Sequence, residues 1–416
     1  MTTKFQTYPK HKDSGVEWVD RISMEWQMIR NLGIFSERVE RARGEEKLLS
    51  ISISRGVTTQ EDLDTKKDGS NDDKSNYKIV EPNDVAYNKM RMWQGAVGVS
   101  RYHGIVSPAY IILKPKSFVE SRYFYYQYKT QVYNELSYQY GHGIVDDQHS
   151  LRYWQFKTLY SILPPLKTQQ CIADFLDEKT KIIDELVAKK EQMIDLLREK
   201  RTALITRAVT KGLDSHAELK PSGVDWLGDI PEGWDVGKLK HYVLWTRAGD
   251  VIDQSRWASD GLEITYSCAE SPFFSDYSEF RMSRRTKEGD LLLARNGYGV
   301  VHIPKPNSIY TNVVQLVRLS PKCYPVFVRY QLTAGLPVIH GKSMGDFITS
   351  INYGMWRDAD VCLPKEFRMQ QRIANFLDSE TEKMAKAVAL IESQIEKLKE
   401  YRSSLIYSAV TGKIKI

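Results

Sequence analysis

The sequence predicts an α+β chain made by internal duplication. Two globular α/β heads are separated by two long α-helices, which pack as an antiparallel coiled coil with pseudo-two-fold symmetry. Three observations predict it. Residues 169–213 and 370–414 align without a gap at an offset of 201, and about half of their positions are identical. Both copies open on QQ-x-IA-x-FLD and end on LI-x-x-AVT. Residues 14–26 (SGVEWVDRISMEW) and 222–234 (SGVDWLGDIPEGW) form a second repeat, at an offset of 208. The order of motif, globular stretch and helix therefore occurs twice.

The elements follow in that order. Residues 1–160 form the first head and 161–213 a central helical region; residues 214–361 form the second head and 362–416 a distal helical region. Both heads are rich in Tyr, Val and Ile with frequent turn signals, so strands dominate them. In the central helix, apolar residues fall at Ile172, Leu176, Ile183, Leu186, Ile194, Leu197 and Leu204. In the distal helix they fall at Ile373, Leu377, Met384, Ala387, Ile395, Leu398 and Leu405. Steps of three and four mark a coiled-coil seam. Leu163–Pro164 and Leu363–Pro364 precede the helices, and Gly212 and Gly412 stand where they stop.

One such helix cannot bury its own stripe, but two in one chain bury theirs against each other. Polar breaks at Lys179, Lys190, Glu380 and Arg402 favour a single register. Trp18, Trp26, Trp226 and Trp234 recur at matching positions and read as packing anchors where head meets helix. The stretches between the repeats share only faint echoes, such as Pro82-Asn83-Asp84 against Glu288-Gly289-Asp290. Conserved helices with diverged heads suggest one mechanical part and two different reading parts. A helical hairpin that merely dimerises the protein would give no reason for two unlike heads.

Composition bounds the function. With 42% hydrophobic and 27% charged residues among 416, the chain is not a disordered one. No run of eighteen apolar residues exists, and the first residues lack the apolar core of a secretory signal, so no membrane segment is expected. Cys171, Cys268, Cys323 and Cys362 lie far apart with no CxxC, which argues against a zinc site or a disulfide framework. A reducing cytoplasm is the expected location. The net charge of +6 divides into +3, +2, −2 and +3 over the four regions. No region is basic enough to hold a polyanion by bulk charge, so any nucleic-acid binding must use local patches.

Candidate patches exist in both heads. Residues 87–104 (YNKMRMWQGAVGVSRYHG) interleave Asn88, Lys89, Arg91, Trp93, Arg101, Tyr102 and His103. The second head offers Arg281, Arg284, Arg285 and Lys287, then Arg295, Asn296 and Tyr298. His142 and Lys342 sit in paired glycine loops late in each head. Arg, Lys and Asn can read guanine and adenine edges, and other cations hold phosphates. Each cluster taken singly also fits an ordinary solvated strand face. The acidic stretch 61–74 reads as solvent-facing.

Nothing in the sequence supports catalysis or a cofactor held by this chain. There is no GxxxxGK[ST] or GxGxxG loop, no HExxH and no paired metal-ligand spacing. Leu163-Pro164-Pro165-Leu166 lacks the amide that would hold an adenine amino group. Asp146–Asp147 fits an exposed turn better than a metal pair.

GVEW…I…W at 15–26, GVDWLGDIPEGW at 223–234 and the two LP…QQ-x-IA-x-FLD…AVT helices closely resemble the specificity subunit of type I restriction–modification enzymes, over essentially the whole chain. Ser107-Pro108-Ala109-Tyr110 also looks like the family; the second head departs there with Tyr310-Thr311-Asn312-Val313, and the first motif has Ile22-Ser23 in place of Ile-Pro. The resemblance implies that each head is a target-recognition domain reading half of an asymmetric, split double-stranded DNA sequence. It implies a coil that sets the distance between half-sites. Two methyltransferase subunits would methylate adenine with S-adenosylmethionine, and two motor–nuclease subunits would use ATP and magnesium. This chain would carry none of that chemistry and contact no membrane. Two alternatives stay open on the residues alone: an orphan coiled-coil DNA-binding module without partner enzymes, and a nuclease with an unrecognised metal site.

Overall fold

A computed structural model describes residues 5–42, 46–59, 74–143, 149–279, 281–295, 299–341 and 351–416. The chain divides into two compact units, residues 1–190 with 393–416, and residues 191–392. Both long helices contribute to both units, so neither unit is a continuous stretch of chain.

In the first unit, β1 (His11–Val16) and β2 (Val19–Ser23) form a hairpin. β3 (Gln27–Arg30) leads to β4 (Phe35–Glu37), β5 (Leu49–Ser52), β6 (Gly56–Thr59), β7 (Lys78–Val80), β8 (Val85–Asn88), β9 (Val97–Val99), β10 (Gly104–Val106) and β11 (Tyr110–Pro115). The main sheet has the order β4-β11-β8-β9, antiparallel throughout. Three helices follow: α1 (Ser121–Tyr128), α2 (Gln131–Tyr140) and α3 (Tyr153–Phe156). β12 (Tyr160–Leu163) returns to pair with β3, and α4 (Leu166–Lys211) begins after it.

The second unit repeats the plan. β13 (Leu219–Pro221) and β14 (Asp229–Pro231) form the hairpin, and β15 (Trp234–Lys238) precedes β16 (Val243–Ala248). β17 (Glu263–Tyr266), β18 (Phe273–Ser275), β19 (Asp290–Ala294), β20 (Val301–His302), β21 (Ile309–Tyr310) and β22 (Val314–Leu319) follow. α5 (Pro325–Gly341), α6 (Tyr353–Arg357), β23 (Asp360–Pro364), which pairs with β15, and α7 (Phe367–Val410) complete the chain. The main sheet runs β16-β22-β19-β20, the same order as in the first unit. The heads therefore share a sheet whose sequence has drifted almost beyond alignment. A sheet core asks for apolar residues at the right alternation and accepts many of them.

The echo at 82–84 and 288–290 is a matched turn. Asn83 (φ 71°) and Gly289 (φ 86°) are both left-handed, a conformation open to glycine and tolerated by asparagine. Asp84 accepts from the Glu81 amide at 2.8 Å and pairs with Arg38 at 2.7 Å. Asp290 accepts from the Lys287 amide at 2.8 Å and pairs with Arg318 at 2.8 Å.

Each unit pairs the first half of one long helix with the last half of the other, and the pairing is antiparallel. In the first unit Arg402 forks onto Asp184 at 2.9 and 3.2 Å, and Lys190 donates to Gln394 at 2.6 Å. Numbers rise along α4 as they fall along α7. In the second unit Arg198 lies 3.9 Å from Glu392. Of the four polar breaks, Lys190 and Arg402 thus bond across the helix pair, whereas Lys179 pairs with Glu178 and Glu380 with Lys383 on their own helices.

The seam is buried at Ile172, Leu176, Ile183, Ile194, Ile373, Leu377, Met384, Ile395 and Leu405, and half-buried at Leu197, Leu204, Ala387 and Leu398. Leu186 is the exception, at 41% exposed. At 100° per residue it lies about 60° off Ile183, whereas Val187 lies about 40° away on the other side, toward Ile194. Val187 packs on the core in its place.

The repeated motifs are clamps between head and helix. Gln169 accepts from the Glu120 amide (2.9 Å) and donates to Pro164 O (2.8 Å). Gln370 does the same with the Tyr324 amide (2.7 Å) and Pro364 O (2.9 Å). The FLD aspartates Asp177 and Asp378 each accept at 2.7 Å from a head tyrosine, Tyr126 and Tyr330. Helix ends close the heads. Trp26 lies against Gly412, and the Tyr123 hydroxyl donates to Val410 O at 3.0 Å. Trp234 lies against Gly212, and Gln331 donates to Val209 O. Trp26 and Trp234 thus anchor head to helix as expected, whereas Trp18 packs edge-on to Tyr133 of α2 and Trp226 against Gly335 of α5, within the heads. Among the described residues, no helix is long and apolar enough to cross a membrane.

Candidate nucleic-acid interface

Candidates of the first head gather at two places. β8 ends at Asn88, whose Oδ1 accepts from the Met90 amide at 2.9 Å. The chain then makes a 3-10 turn over Met92–Gln94 and closes on Gly95, left-handed at φ 78°. Trp93 donates to Met90 O (3.1 Å) and stands edge-on to Tyr138 at 5.4 Å. Tyr138 stacks on His149 at 4.4 Å. The Leu151 amide donates to Lys89 O at 2.8 Å, and His142 bonds Ser150 through both backbone groups. The His142 ring lies 6.0 Å from Trp154, which is 53% exposed.

Asn88, Lys89, Arg91, Trp93 and His142 thus share one connected surface with exposed Tyr138 and Trp154 and with Tyr140, whose carbonyl accepts from Gln155. These three aromatics lie 45 or more residues past Trp93, beyond the reach of a local reading. The surface combines cations, an amide and aromatic faces, groups able to bond phosphates and base edges.

Arg101, Tyr102 and His103 stand elsewhere. β8 and β9 pair antiparallel, with Val85 opposite Val99, so residues 100–103 lie beside the start of β8 and residues 88–93 beside its end. The Ser100 amide donates to Asp84 O at 2.9 Å, and His103 Nδ1 is 3.0 Å from Glu81. A stretch contiguous in sequence is split by its hairpin between two ends of a strand pair.

The second head keeps fewer of its candidates at the surface. Arg281 and Lys287 are exposed. Arg284 pairs with Asp250 at 3.0 Å, and Arg295 donates to Asn312 O at 3.2 Å. Arg285 is buried, held by two bonds to Glu263 (2.6 and 2.8 Å) and one to Asn307 O (2.9 Å). The Arg285 hydrogen bonds hold the Glu263 carboxyl below the ordinary glutamate range. Arg285 is a structural group, because its fork is already occupied inside the head. Asn296, Tyr298 and Lys342 lie outside the described residues, as do Asp146–Asp147 and all of the acidic stretch 61–74 except Lys74. No group of three or more His, Cys, Asp or Glu able to hold a metal occurs among the described residues.

The long helices also carry apolar residues on a face away from the seam. Ile182, Leu186, Met193 and Leu196 on α4 are 41–57% exposed, and Leu390 and Tyr401 on α7 are exposed too.

No family model matches the chain. The type I restriction enzyme MjaVIII specificity subunit of Methanocaldococcus jannaschii is 25% identical over 281 residues, covering 61% of each chain. The putative MjaX specificity subunit of the same organism is 25% identical over 280 residues, covering 65% of this chain and 63% of that one. The chain therefore spans about three fifths of the length of the curated relatives it matches. A chain from a structure described as the basis of complex assembly and conformational transition of the type I R-M system superposes with a TM-score of 0.72 at 12% identity, over 94% of this chain and 99% of that one. The HsdS subunit from Thermoanaerobacter tengcongensis superposes with a TM-score of 0.53 at 14% identity, over 94% and 98%. The curated relatives of this chain are thus type I restriction enzyme specificity subunits, and its mixed helix-and-strand architecture is the fold of the HsdS subunit.

Proposed function

We propose that the chain is the DNA sequence-recognition subunit of a type I restriction–modification assembly. Each head reads one half of an asymmetric, two-part duplex target, and the helix pair fixes the number of unread base pairs between the halves. The chain is not itself an enzyme. Methyltransferase subunits carrying S-adenosylmethionine and motor–nuclease subunits carrying ATP and magnesium assemble on it in the cytoplasm. The four sequential regions, 1–160, 161–213, 214–361 and 362–416, serve as reader, rod, reader and rod.

One observation carries this reading. Two heads with the same sheet order present different side chains at the equivalent turns, on two helices that share about half of their residues. A dimer of like readers meets a palindrome; two unlike readers in one chain meet a target without that symmetry. Local patches, not net charge, then supply the contacts, and Arg91 with Asn88 and the Trp93–Tyr138 pair is the patch of the first head. The exposed apolar residues on α4 favour a partnered subunit over an orphan module, because isolated rods gain nothing from a second apolar stripe.

Selection from a random duplex library with the full-length chain tests the reading. Two unlike short motifs at one fixed gap are expected. A single continuous motif, a palindrome or no enrichment refutes it.

A further inference from the structure

One half-buried charge in the first head bonds main-chain carbonyls and no carboxylate. Lys129 follows α1, and its ammonium donates to two main-chain carbonyls, Ile53 O and Gly95 O, the latter at 2.8 Å. Ile53 belongs to the turn between β5 and β6; Gly95 ends the turn between β8 and β9 that displays Arg91 and Trp93. Burial disfavours the charge and, with Arg402 nearby, lowers the lysine to about 8. A charge kept at that cost calls for a reason.

The surroundings supply one. A Cβ on Gly95 would meet Asn134 and the Lys129 stem at 3.5 Å, so the turn rests on the corner between α1 and α2. The β5–β6 hairpin touches β9 closely at Gly98, where a Cβ would lie 2.5 Å from the Val57 nitrogen. The hairpin and the turn thus meet at Gly98 and are tied a second time by Lys129. In the other head the connection between β19 and β20 also ends on a left-handed glycine, Gly299 (φ 76°). There the neighbours are Leu336, Ile351 and Trp356, and the Trp356 indole donates to Ala294 O at 2.7 Å. The two glycines thus have a polar strut beside one, Gly95, and apolar side chains beside the other, Gly299.

We propose that Lys129 is a positioning residue for DNA recognition by the first head: it clamps the 89–95 turn to the β5–β6 hairpin, so that Arg91 and Trp93 are presented from one rigid piece. The proposal rests on the DNA-reading function above. It makes the first head's half-site, and not the second's, depend on a side chain that touches no DNA.

The test uses the full-length chain with Lys129→Met and Lys129→Arg, thermal unfolding serving as the control for folding. Amide exchange is measured in peptides spanning 50–57 and 88–97, and the selected duplex motif is compared with that of the wild type. Lys129→Met should speed exchange in both peptides together and weaken preference at one half-site by roughly tenfold, the size of one lost base contact. The other half-site should stay unchanged, and Lys129→Arg should restore both readouts. Unchanged exchange in a folded Lys129→Met chain overturns the clamp whatever the DNA result. Faster exchange with both half-sites intact overturns its role in recognition. If the wild type selects no sequence, the DNA-reading function itself falls and takes the positioning role with it, while the exchange data still report on the clamp.

Discussion

Replacing Gly412 by alanine tests how the first unit is closed. Gly412 follows α7 at φ 75°, a left-handed conformation that costs an L side chain about 1–2 kcal/mol. The added Cβ would also stand 3.0 and 3.1 Å from two atoms of the Trp26 ring, which is fully buried and cannot swing away. Overpacking of that kind costs about 1–3 kcal/mol. Glycine-to-alanine changes at compatible sites gain about 0.4–1 kcal/mol through the unfolded chain, which offsets part of the loss. Gly412→Ala should therefore lose about 2–4 kcal/mol in the first unit. Gly212→Ala is the matched control: its φ is 73°, but its Cβ would meet Trp234 at an ordinary 3.4 Å. It should lose only about 1 kcal/mol, in the second unit. A chain of two units need not unfold in one step, so the assay is amide exchange in urea, read on peptides around Trp26 and around Trp234. A Gly412→Ala chain as stable as the wild type, or no worse than Gly212→Ala, would show that the end of α7 does not seal the head on Trp26.

Three further outcomes follow from particular contacts. Gln331→Leu strips the partner from the buried Cys362 amide and leaves the Val209 carbonyl only the Cys362 thiol at 3.4 Å; at about 1–3 kcal/mol for the orphaned amide, the second unit should lose at least about 1 kcal/mol in urea unfolding. Arg91→Ala should cost about 1–3 kcal/mol of DNA affinity and relax one position of one half-site, measured by fluorescence anisotropy, whereas Arg285→Met should lower the stability of the second head. Glu263 ionises more readily in the folded chain than its ordinary value of 4.5, so its pairing with Arg285 stabilises fully above that pH and fades as the pH falls below it. Glu263→Gln should remove this part of the acid dependence, as seen in unfolding midpoints between pH 3 and 6.

The rods were legible because their signal is local and doubled: steps of three and four, stated twice, with stop signals at both ends. Leu186 was misplaced because a choice between i+3 and i+4 needs the partner's position to decide it. The motif glutamines Gln169 and Gln370 announced themselves by repetition, but not their work, since their bonds reach residues 46 and 49 positions upstream. A weaker echo, Tyr126-Gln127 against Tyr330-Gln331, marks the head side of the same joints and was available in the sequence. The shared sheet was hidden because it is kept by apolar alternation rather than by residue identity. Arg285 is indistinguishable from its neighbours in sequence, because the Glu263 that holds it lies 22 positions earlier. The cluster 87–104 looked like one patch because a sequence does not show which end of a hairpin each residue occupies.

The central claim is that the helix pair is a ruler. Seven residues inserted in each helix, after Lys190 and after Glu392, preserve the phase of the seam and lengthen each rod by about 10.5 Å. At about 3.4 Å per base pair that is close to three base pairs. Duplex selection with the lengthened chain should return the same two half-sites with a gap about three base pairs longer; the same half-sites at the original gap would contradict the account.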